Sequence, residues 1–376
     1  MVKIELKLGH VIDKLKEIPD NSIDCIVTSP PYYGLRKYKA PNAIWGGDSA
    51  CEHEWGVSVP LETINKNRNG LGQNSVVRVR NQEWVEAKVI GSYCQKCGAW
   101  QGQLGLEPDY HLYLDHVLMV TAELKRVLKP TGILWWNMGD SYNGNKEGKT
   151  DKKVSDYIKN DQNGLVKTAS SSMPLKSLMQ LPTRFAIRMV DEQGWILRNI
   201  MIWHKRNGMP SSVRDRLTNS YEFIFFFTKQ KKYFFNLDAV RVKSIWADKD
   251  KRSLQRRVVD KSGKITENQY ATNAVGYNPL GKNPGDVLEL TTQPFKGAHF
   301  AVFPPKLPEF CIKAGCPNEG VVLDPFAGSG TTMLVAKQLG RSAIGIEISP
   351  EYAKIIKQRL DWGSGLNIHW IDEVDR

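Results

Sequence analysis

A strand, a glycine-rich turn, a helix and a second strand follow one another between residues 320 and 348, and this order constrains the fold more than any other segment. The letters run VVLDP, FAGSG, TTMLVAKQLG and SAIGIEI. Glycines at a strand-to-helix turn permit a tight bend and a close approach of the backbone to a ligand. Strands that alternate with helices predict an α/β fold with a mostly parallel sheet.

The glycine turn predicts a nucleoside site, with a purely structural turn as the alternative. Glu347 closes the next strand 19 residues after Gly328, where doubly wound folds place an acid that accepts hydrogen bonds from ribose hydroxyls. The pattern is neither a phosphate loop nor the G-x-G-x-x-G of dinucleotide folds, which argues against an oxidoreductase. S-adenosylmethionine, a nucleoside without a phosphate chain, is the expected cofactor. The candidate binding residues are Asp324, Phe326, Gly328, Ser329, Gly330, Thr331, Thr332 and Glu347.

A second strand, Ile23–Thr28, stops at Ser29-Pro30-Pro31-Tyr32, the SPPY loop. Prolines fix φ and lack an N–H group, so we expect a rigid loop whose proline carbonyls project unpaired. The Ser29 hydroxyl oxygen and the Pro30 carbonyl are expected to accept the two N–H groups of an exocyclic amine. Tyr32 is expected to stack on an extruded base. The alternative is a turn that ends a strand and carries a packed tyrosine.

The TSPPY segment, followed much later by DPFAGSGTT, resembles the amino DNA methyltransferases, which methylate exocyclic nitrogens. The motif order is that of their permuted β group. The resemblance implies a circularly permuted, Rossmann-like, seven-stranded sheet with one reversed strand, and places the two motif-bearing strands side by side. In AHFAVFP, Phe303 and Pro304 are implied contacts of the methionine end of the cofactor. Gly9-His10 departs from the Gly-Asp that members often carry.

The target base follows from the same resemblance. Ser at position 29 resembles the cytosine-N4 enzymes more than most adenine-N6 enzymes, so N4 of a flipped cytosine is the expected methyl acceptor. Direct attack by an amine needs no cysteine nucleophile, and the Pro-Cys dipeptide of ring-carbon methylation is absent. Adenine N6, an RNA or protein-amide substrate, and a non-catalytic DNA-binding protein remain alternatives.

The charge of the chain indicates its binding partner, and the positions of the motifs indicate its domain organisation. The 376 residues carry 52 Lys and Arg against 40 Asp and Glu, which suits a polyanion such as double-stranded DNA. Residues 1–235 are expected to form the catalytic half, with an insertion at 40–105 and a mobile loop at 141–172. Residues 236–295 are the expected target recognition module, and 296–376 the cofactor-binding half.

The stretch 229–264 holds 12 Lys and Arg against 4 Asp and Glu. It is expected to contact DNA phosphates, although a solvated charged face is the alternative. The candidate DNA-binding residues are Arg241, Arg252, Arg256 and Arg257. We expect a cytoplasmic monomer or weak dimer without a membrane segment, which serves a restriction–modification system beside a cognate endonuclease.

Four metal-ligating side chains bracket the insertion, as Cys51-x-His53 and Cys94-x-x-Cys97. Four nitrogen and sulfur ligands with one chelating turn suit a structural tetrahedral zinc ion. An insertion without an apolar core also needs such a staple. The alternative is a set of unrelated reduced cysteines and a surface histidine.

Overall fold

The computed structural model describes residues 2–35, 37–56, 91–144, 173–208, 211, 213–243, 257–259, 265–267, 278, 280–292 and 302–361. Within them the strands are β1 Ile4–Leu8, β2 Ile23–Thr28, β3 Ala43–Trp45, β4 Gly91–Tyr93, β5 Trp100–Gly102, β6 Leu128–Met138, β7 Ile196–His204, β8 Tyr221–Thr228, β9 Arg257–Val259, β10 Ile265–Glu267, β11 Val287–Glu289, β12 Val321–Asp324 and β13 Ser342–Glu347. The helices are α1 Val11–Lys16, α2 Tyr110–Val127, α3 Leu181–Asp191, α4 Lys306–Gly315, α5 Thr331–Gln338 and α6 Pro350–Asp361.

Eight strands form the central sheet, in the order β1-β13-β12-β2-β6-β8-β7-β11. β8 runs antiparallel to both of its neighbours, and the other pairings in this sheet are parallel. The expected Rossmann-like sheet with one reversed strand is therefore confirmed. β11 adds an eighth strand beyond the seven expected. It has only three residues, too few for a period-2 pattern to be recognised in a polar segment.

Helices cover both faces of the sheet, and β6 shows the reason in its sequence. The run ILWWNM is apolar on both sides, which is typical of a strand buried on two faces. Leu134 and Trp136 pack into one core with α1, α2 and α3. Ile133 and Trp135 pack into the opposite core with α4, α5 and α6. Cys25, Cys311 and Cys316 are buried in this second core.

The two motif-bearing strands are neighbours, as the resemblance implied. β12 pairs in parallel with β2, for example at Leu323 and Ile26. The connection from β12 to β13 passes through α5 on one face, whereas the connection from β2 to β6 passes through α2 on the other. The carboxyl ends of β12 and β2 therefore flank the switch point, where ligands bind in doubly wound folds.

The expected insertion at 40–105 contains a separate antiparallel sheet in the order β3-β5-β4. Residues 57–90 of this insertion lie outside the described residues, as do 145–172 of the expected mobile loop. The expected recognition module at 236–295 is described only in part. Among the described residues, none of the helices combines the length and apolarity needed to cross a bilayer.

Candidate active site

The glycine turn, residues 325–330, connects β12 to α5. Gly328 and Gly330 have φ angles of +53° and +76°, which glycine adopts without strain. A Cβ atom at Gly330 would lie 3.1 Å from the side chain of Ile356 on α6. Arg359, also on α6, donates to the carbonyl and the hydroxyl oxygens of Ser329 at 2.8 and 2.9 Å. Contacts from α6 therefore hold the turn in one shape.

Asp324 joins the glycine turn to the end of β2. Its Oδ1 accepts the hydroxyl of Thr28 at 2.7 Å and the amide of Phe326 at 3.1 Å. Burial raises the pKa of Asp324 to about 6, although these hydrogen bonds favour the carboxylate. Because Thr28 immediately precedes Ser29, the contact fixes the SPPY loop relative to the glycine turn.

Glu347 ends β13 beside the turn, at the position expected for a ribose-binding acid. Its two carboxylate oxygens accept the amides of Gly328 and Ser349, each at 2.8 Å. Burial raises the pKa of Glu347 to about 7. Its hydrogen bonds come from neutral amides, so the chemistry of this buried acid suits further hydroxyl donors such as those of a ribose.

The SPPY loop contains a hydrogen-bond chain centred on Tyr32. A carboxylate only accepts, so the Tyr32 hydroxyl donates to Glu222 Oε2 at 2.7 Å. The same hydroxyl oxygen accepts the proton of Ser29 at 3.0 Å. Asn137 Oδ1 lies further away, at 3.2 Å from the Tyr32 oxygen. The only proton of Ser29 is therefore directed at Tyr32, and the lone pairs of the Ser29 oxygen are left as acceptors.

Glu222 lies on β8 and forms an ion pair with Lys205, which follows β7. Burial and the neighbouring carboxylate of Glu222 raise the pKa of Tyr32 well above its usual value of 10. Tyr32 therefore stays a phenol at neutral pH and can donate to Glu222. The orientation of Asn137 is also fixed, because its Nδ2 donates to the Phe223 carbonyl at 3.0 Å.

Two further contacts support the SPPY loop. The hydroxyl of Tyr113, on α2, donates to the Pro31 carbonyl at 2.9 Å. The expectation that the proline carbonyls project unpaired is therefore wrong for Pro31, because a side chain from a distant helix reaches it. Gly105 has a φ angle of +90°, and a Cβ atom there would lie 2.7 Å from the Tyr32 carbonyl.

Glu222, Asn137 and Arg359 belong to the site but were not found in the sequence. Their partners are distant in the chain: 190 positions separate Tyr32 from Glu222, so no local spacing marks them. One signal was present for Glu222. It is the single acid in the strand YEFIFFFT, and a partly buried acid in an apolar strand is a candidate for a functional role.

The departure at Gly9-His10 lies next to Glu347. The amide of Gly9 donates to the Glu347 carbonyl at 2.9 Å. The His10 ring contacts Trp45 edge-on at 4.5 Å between centroids, and burial lowers the pKa of His10. A neutral, packed imidazole thus stands where members of the resembled family often carry a carboxylate.

The remaining predicted contacts are placed as follows. Phe303 packs on the core beside α4, and Pro304 is buried just before that helix. The guanidinium of Arg241 donates to Asp238 at 2.6 Å and to the Gly281 carbonyl at 3.1 Å, so it has a structural contact in the described part of the chain. Arg252, Arg256 and the side chain of Arg257 lie outside the described residues.

The four predicted metal ligands come together, although 43 positions separate Cys51 from Cys94. One ligand atom from each of them lies within 4.8 Å of all the others. The Sγ atoms of Cys51 and Cys94 are 3.9 Å apart, and Cys97 Sγ is 3.4 Å from His53 Nδ1. The pattern in the sequence therefore identified a real cluster.

The profile of the DNA methylase family that comprises N6 and N4 enzymes matches residues 23–358. This range contains both the SPPY loop and the glycine turn. The chain belongs to this DNA methylase family. A relative of the methylase, the Type II methyltransferase M.XycI of Xanthomonas campestris pv. cyanopsidis, is 31% identical over 363 residues, which cover 96% of this chain and 88% of that protein. The Type II methyltransferase M.SmaI of Serratia marcescens is 29% identical, with coverage of 94% and 89%.

Solved structures agree with the fold of the methylase. PvuII DNA methyltransferase (cytosine-N4-specific) matches with a TM-score of 0.54 and 18% identity, covering 98% of this chain and 89% of that chain. A putative DNA modification methylase of Thermus thermophilus, solved in complex with S-adenosyl-L-methionine, matches with a TM-score of 0.50 and 19% identity over 98% of this chain and 100% of that chain. These likenesses establish the architecture of the methylase.

Proposed function

We propose that this protein is a Type II DNA methyltransferase that moves the methyl group of S-adenosylmethionine to N4 of a cytosine flipped out of double-stranded DNA. The observation that carries the proposal is the Ser29–Tyr32–Glu222 hydrogen-bond chain at the switch point. The relatives named Type II methyltransferases support a role in DNA modification. A cognate restriction endonuclease is the expected functional partner.

The cofactor would be held by the carboxyl ends of β12 and β13. When bound, S-adenosylmethionine supplies a methyl group made electrophilic by its sulfonium. Glu347 accepts hydrogen bonds from the ribose hydroxyls, and the glycine turn permits close contact of its backbone with the nucleoside. Phe303 and Pro304 would contact the methionine end, since they precede α4 on the face of the sheet that carries α5.

The SPPY loop would position the amine. The Ser29 oxygen and the Pro30 carbonyl would accept its two N–H groups and so orient the nitrogen lone pair. Methyl transfer to this nitrogen would leave the electron pair of the broken carbon–sulfur bond on sulfur, and the nitrogen would release one proton to water. Because no protein nucleophile takes part, the rate depends on positioning and on electrostatics.

Glu222 would act on the amine through Tyr32. Its negative charge attracts the Tyr32 proton, which in turn makes the Tyr32 oxygen a better acceptor for Ser29. The Ser29 oxygen then carries more negative charge toward the amine, where positive charge develops as the new bond forms. Glu222 is therefore a positioning residue, whereas Ser29 touches the substrate. Stacking of Tyr32 on the flipped base stays a prediction.

The contacts with DNA are proposed from charge. The basic stretch 229–264 would bind phosphates, and residues 236–295 would form the recognition module. Arg252, Arg256 and Arg257 are the favoured contacts. Arg241 ranks below them because its guanidinium already binds Asp238 and Gly281.

The test is mass spectrometry of nucleosides from mixed-sequence DNA incubated with the purified protein and S-adenosylmethionine that carries a deuterated methyl group. Labelled N4-methylcytosine is expected, and Ser29→Ala should abolish the label while cofactor binding persists. Labelled N6-methyladenine would overturn the choice of base but keep the cofactor and the mechanism. An unlabelled DNA sample, with cofactor binding intact, would refute the proposal of a DNA substrate.

A further inference from the structure

Two ligand-to-ligand distances in the Cys51, His53, Cys94 and Cys97 cluster match those of a tetrahedral zinc site. Zinc bonds of about 2.3 Å to sulfur and about 2.0–2.1 Å to nitrogen, in a tetrahedron, place two sulfurs about 3.8 Å apart and a sulfur and a nitrogen about 3.6 Å apart. The corresponding distances here are 3.9 Å and 3.4 Å. Three cysteines and one histidine complete a tetrahedron, which is the closed ligand set of a structural zinc site.

Backbone hydrogen bonds and a glycine position the side chains of this cluster. In the Cys94–Cys97 turn, the Gly98 amide donates to the Cys94 carbonyl at 2.9 Å, and the Cys94 amide donates to the Ala99 carbonyl at 2.7 Å. A Cβ atom at Gly47 would lie 2.7 Å from Cys97 Sγ, so glycine at this position makes room for the sulfur. Cys94 and Cys97 therefore sit on a hydrogen-bonded turn.

The strands of the small sheet are short. β3, β4 and β5 have three residues each, which is at the lower limit for strands in proteins. Trp55 forms a bridge with Cys94, and its ring lies 4.8 Å from that of His53. Trp45 and Trp100 anchor the sheet to the main core, and a metal ion at the Cys/His cluster would join its remaining segments.

We propose that these four side chains bind one Zn²⁺ ion, and that the ion fixes the small sheet as a support for the SPPY loop. The second half of this proposal, the effect on catalysis, rests on the function proposed above. The first half, the metal site, does not.

The residues that follow β5 connect the small sheet to the SPPY loop. The Gln103 side-chain amide donates to the carbonyls of Tyr38 and Ala40 at 3.2 and 2.6 Å, and thus holds the segment after the SPPY loop. The Gly34 amide donates to the Gly105 carbonyl at 2.8 Å. Gly105 itself approaches the Tyr32 carbonyl so closely that a Cβ atom would clash.

The small sheet is also packed against α2. The rings of Trp45 and Trp100 stack on His116 at 5.1 and 5.5 Å. His116 pairs with the buried carboxylate of Glu107 at 2.9 Å, and Glu107 accepts the Gly105 amide at 2.7 Å. Loosening of the small sheet would therefore reach the Tyr32 backbone. It would also reach the end of β13, because Trp45 contacts His10 and the Gly9 amide donates to the Glu347 carbonyl.

The first measurement is the metal content of the reduced, full-length protein, by plasma mass spectrometry. We expect one zinc per chain, and after replacement by Co²⁺ the strong visible absorption of a tetrahedral thiolate site. Cys97→Ser should lose the metal, whereas Lys96→Ala, an exposed residue in the same turn, should keep it. Wild-type protein that binds neither zinc nor added cobalt would overturn the proposal, whether or not Cys97→Ser folds.

The second measurement compares hydrogen exchange of the wild-type protein before and after zinc is withdrawn with a mercurial and a chelator. We expect faster exchange in residues 32–40 and 91–105, unchanged exchange in residues 321–338, which comprise β12, the glycine turn and α5, and restoration when zinc is added back. The kcat for methyl transfer should fall at least about tenfold, which corresponds to about 1.4 kcal/mol, while affinity for S-adenosylmethionine is kept. Exchange that rises only within 91–105 would refute the supporting role of the small sheet. A loss of cofactor affinity without a fall in kcat would refute it as well. Neither result would contradict the proposal that the four side chains bind zinc.

Discussion

The substitution Glu222→Gln tests the idea that a charge on β8 acts on the substrate through Tyr32 and Ser29. Glutamine keeps the shape and an acceptor oxygen, so the Tyr32 hydroxyl, 2.7 Å from Glu222 in the wild type, still has a partner. What is lost is the charge. The ion pair with Lys205 is also removed, but Lys205 can still be hydrated.

The expected fall in the rate of methyl transfer follows from the type of hydrogen bond that Tyr32 donates to residue 222. A bond to a charged group contributes about 1.5–3 kcal/mol, whereas a neutral one contributes about 0.5–1.5 kcal/mol. The difference is about 1–1.5 kcal/mol, which predicts a fall of about 5- to 12-fold in the single-turnover rate of methyl transfer. Binding of S-adenosylmethionine should not change, because Glu222 lies on the SPPY side of the switch point.

The assay is rapid-quench single turnover with saturating DNA and cofactor, for wild type, Glu222→Gln, Tyr32→Phe and the double variant. If Glu222 acts through the Tyr32 hydroxyl, the substitution should have almost no further effect once that hydroxyl is gone. Glu192→Gln, at an acid that is 49% exposed and pairs with Arg188, is the matched control and should leave the rate unchanged. Effects that multiply independently in the double variant would refute the relay.

Three further predictions concern the cofactor site and the loop. Since burial raises the pKa of Glu347 from 4.5 to about 7, cofactor affinity measured by calorimetry should rise about tenfold from pH 6 to its plateau above pH 8 as the carboxylate ionises, and Glu347→Gln should flatten this profile. The same shift means that the contribution of Glu347 to stability is complete below pH 4.5 and is lost as the pH rises through about 7. Gly105→Ala, with a left-handed φ and the Tyr32 carbonyl in the way, should lower the free energy of unfolding in urea by about 1–3 kcal/mol; an unchanged midpoint would contradict the geometry. Arg359→Ala should weaken cofactor binding about tenfold through loss of two hydrogen bonds to the glycine turn, while Lys354→Ala, exposed on the same helix, should bind like wild type.

The sequence revealed those parts of the fold and site whose causes are local. Pro30, two positions after Thr28, and Pro325, directly after Asp324, mark where two strands must end, because a residue without an N–H group does not continue a central strand. The Cys/His cluster was also predictable from the sequence, although its two halves are far apart in the chain. The chelating Cys-x-His and Cys-x-x-Cys spacings are typical of a metal site. The N-cap of α2 also has a local cause, because Asp109 accepts the amide of His111, two positions away, at 2.8 Å.

The parts that were missed depend on contacts between distant segments. Nothing near Pro31 indicates that Tyr113 will reach its carbonyl, and nothing near Arg241 indicates that it will bind the carbonyl of Gly281, 40 positions away. The pairing of the N-terminal strand β1 with β13 is of the same kind. Such contacts follow from the whole fold and have no periodic or spacing signal of their own.

The pairing of β2 with β12 has a consequence for synthesis in the cell. Thr28 leaves the ribosome 296 positions before its partner Asp324, an interval of about 15–60 s at about 5–20 residues per second. Throughout that interval β2 lacks one neighbour, and its apolar edge is open to wrong pairing. A nascent chain that already displays the SPPY loop still lacks the strand and turn beside it. Methylation of the genome should therefore begin only when translation of this chain is nearly finished, and interrupted chains should leave DNA unmarked.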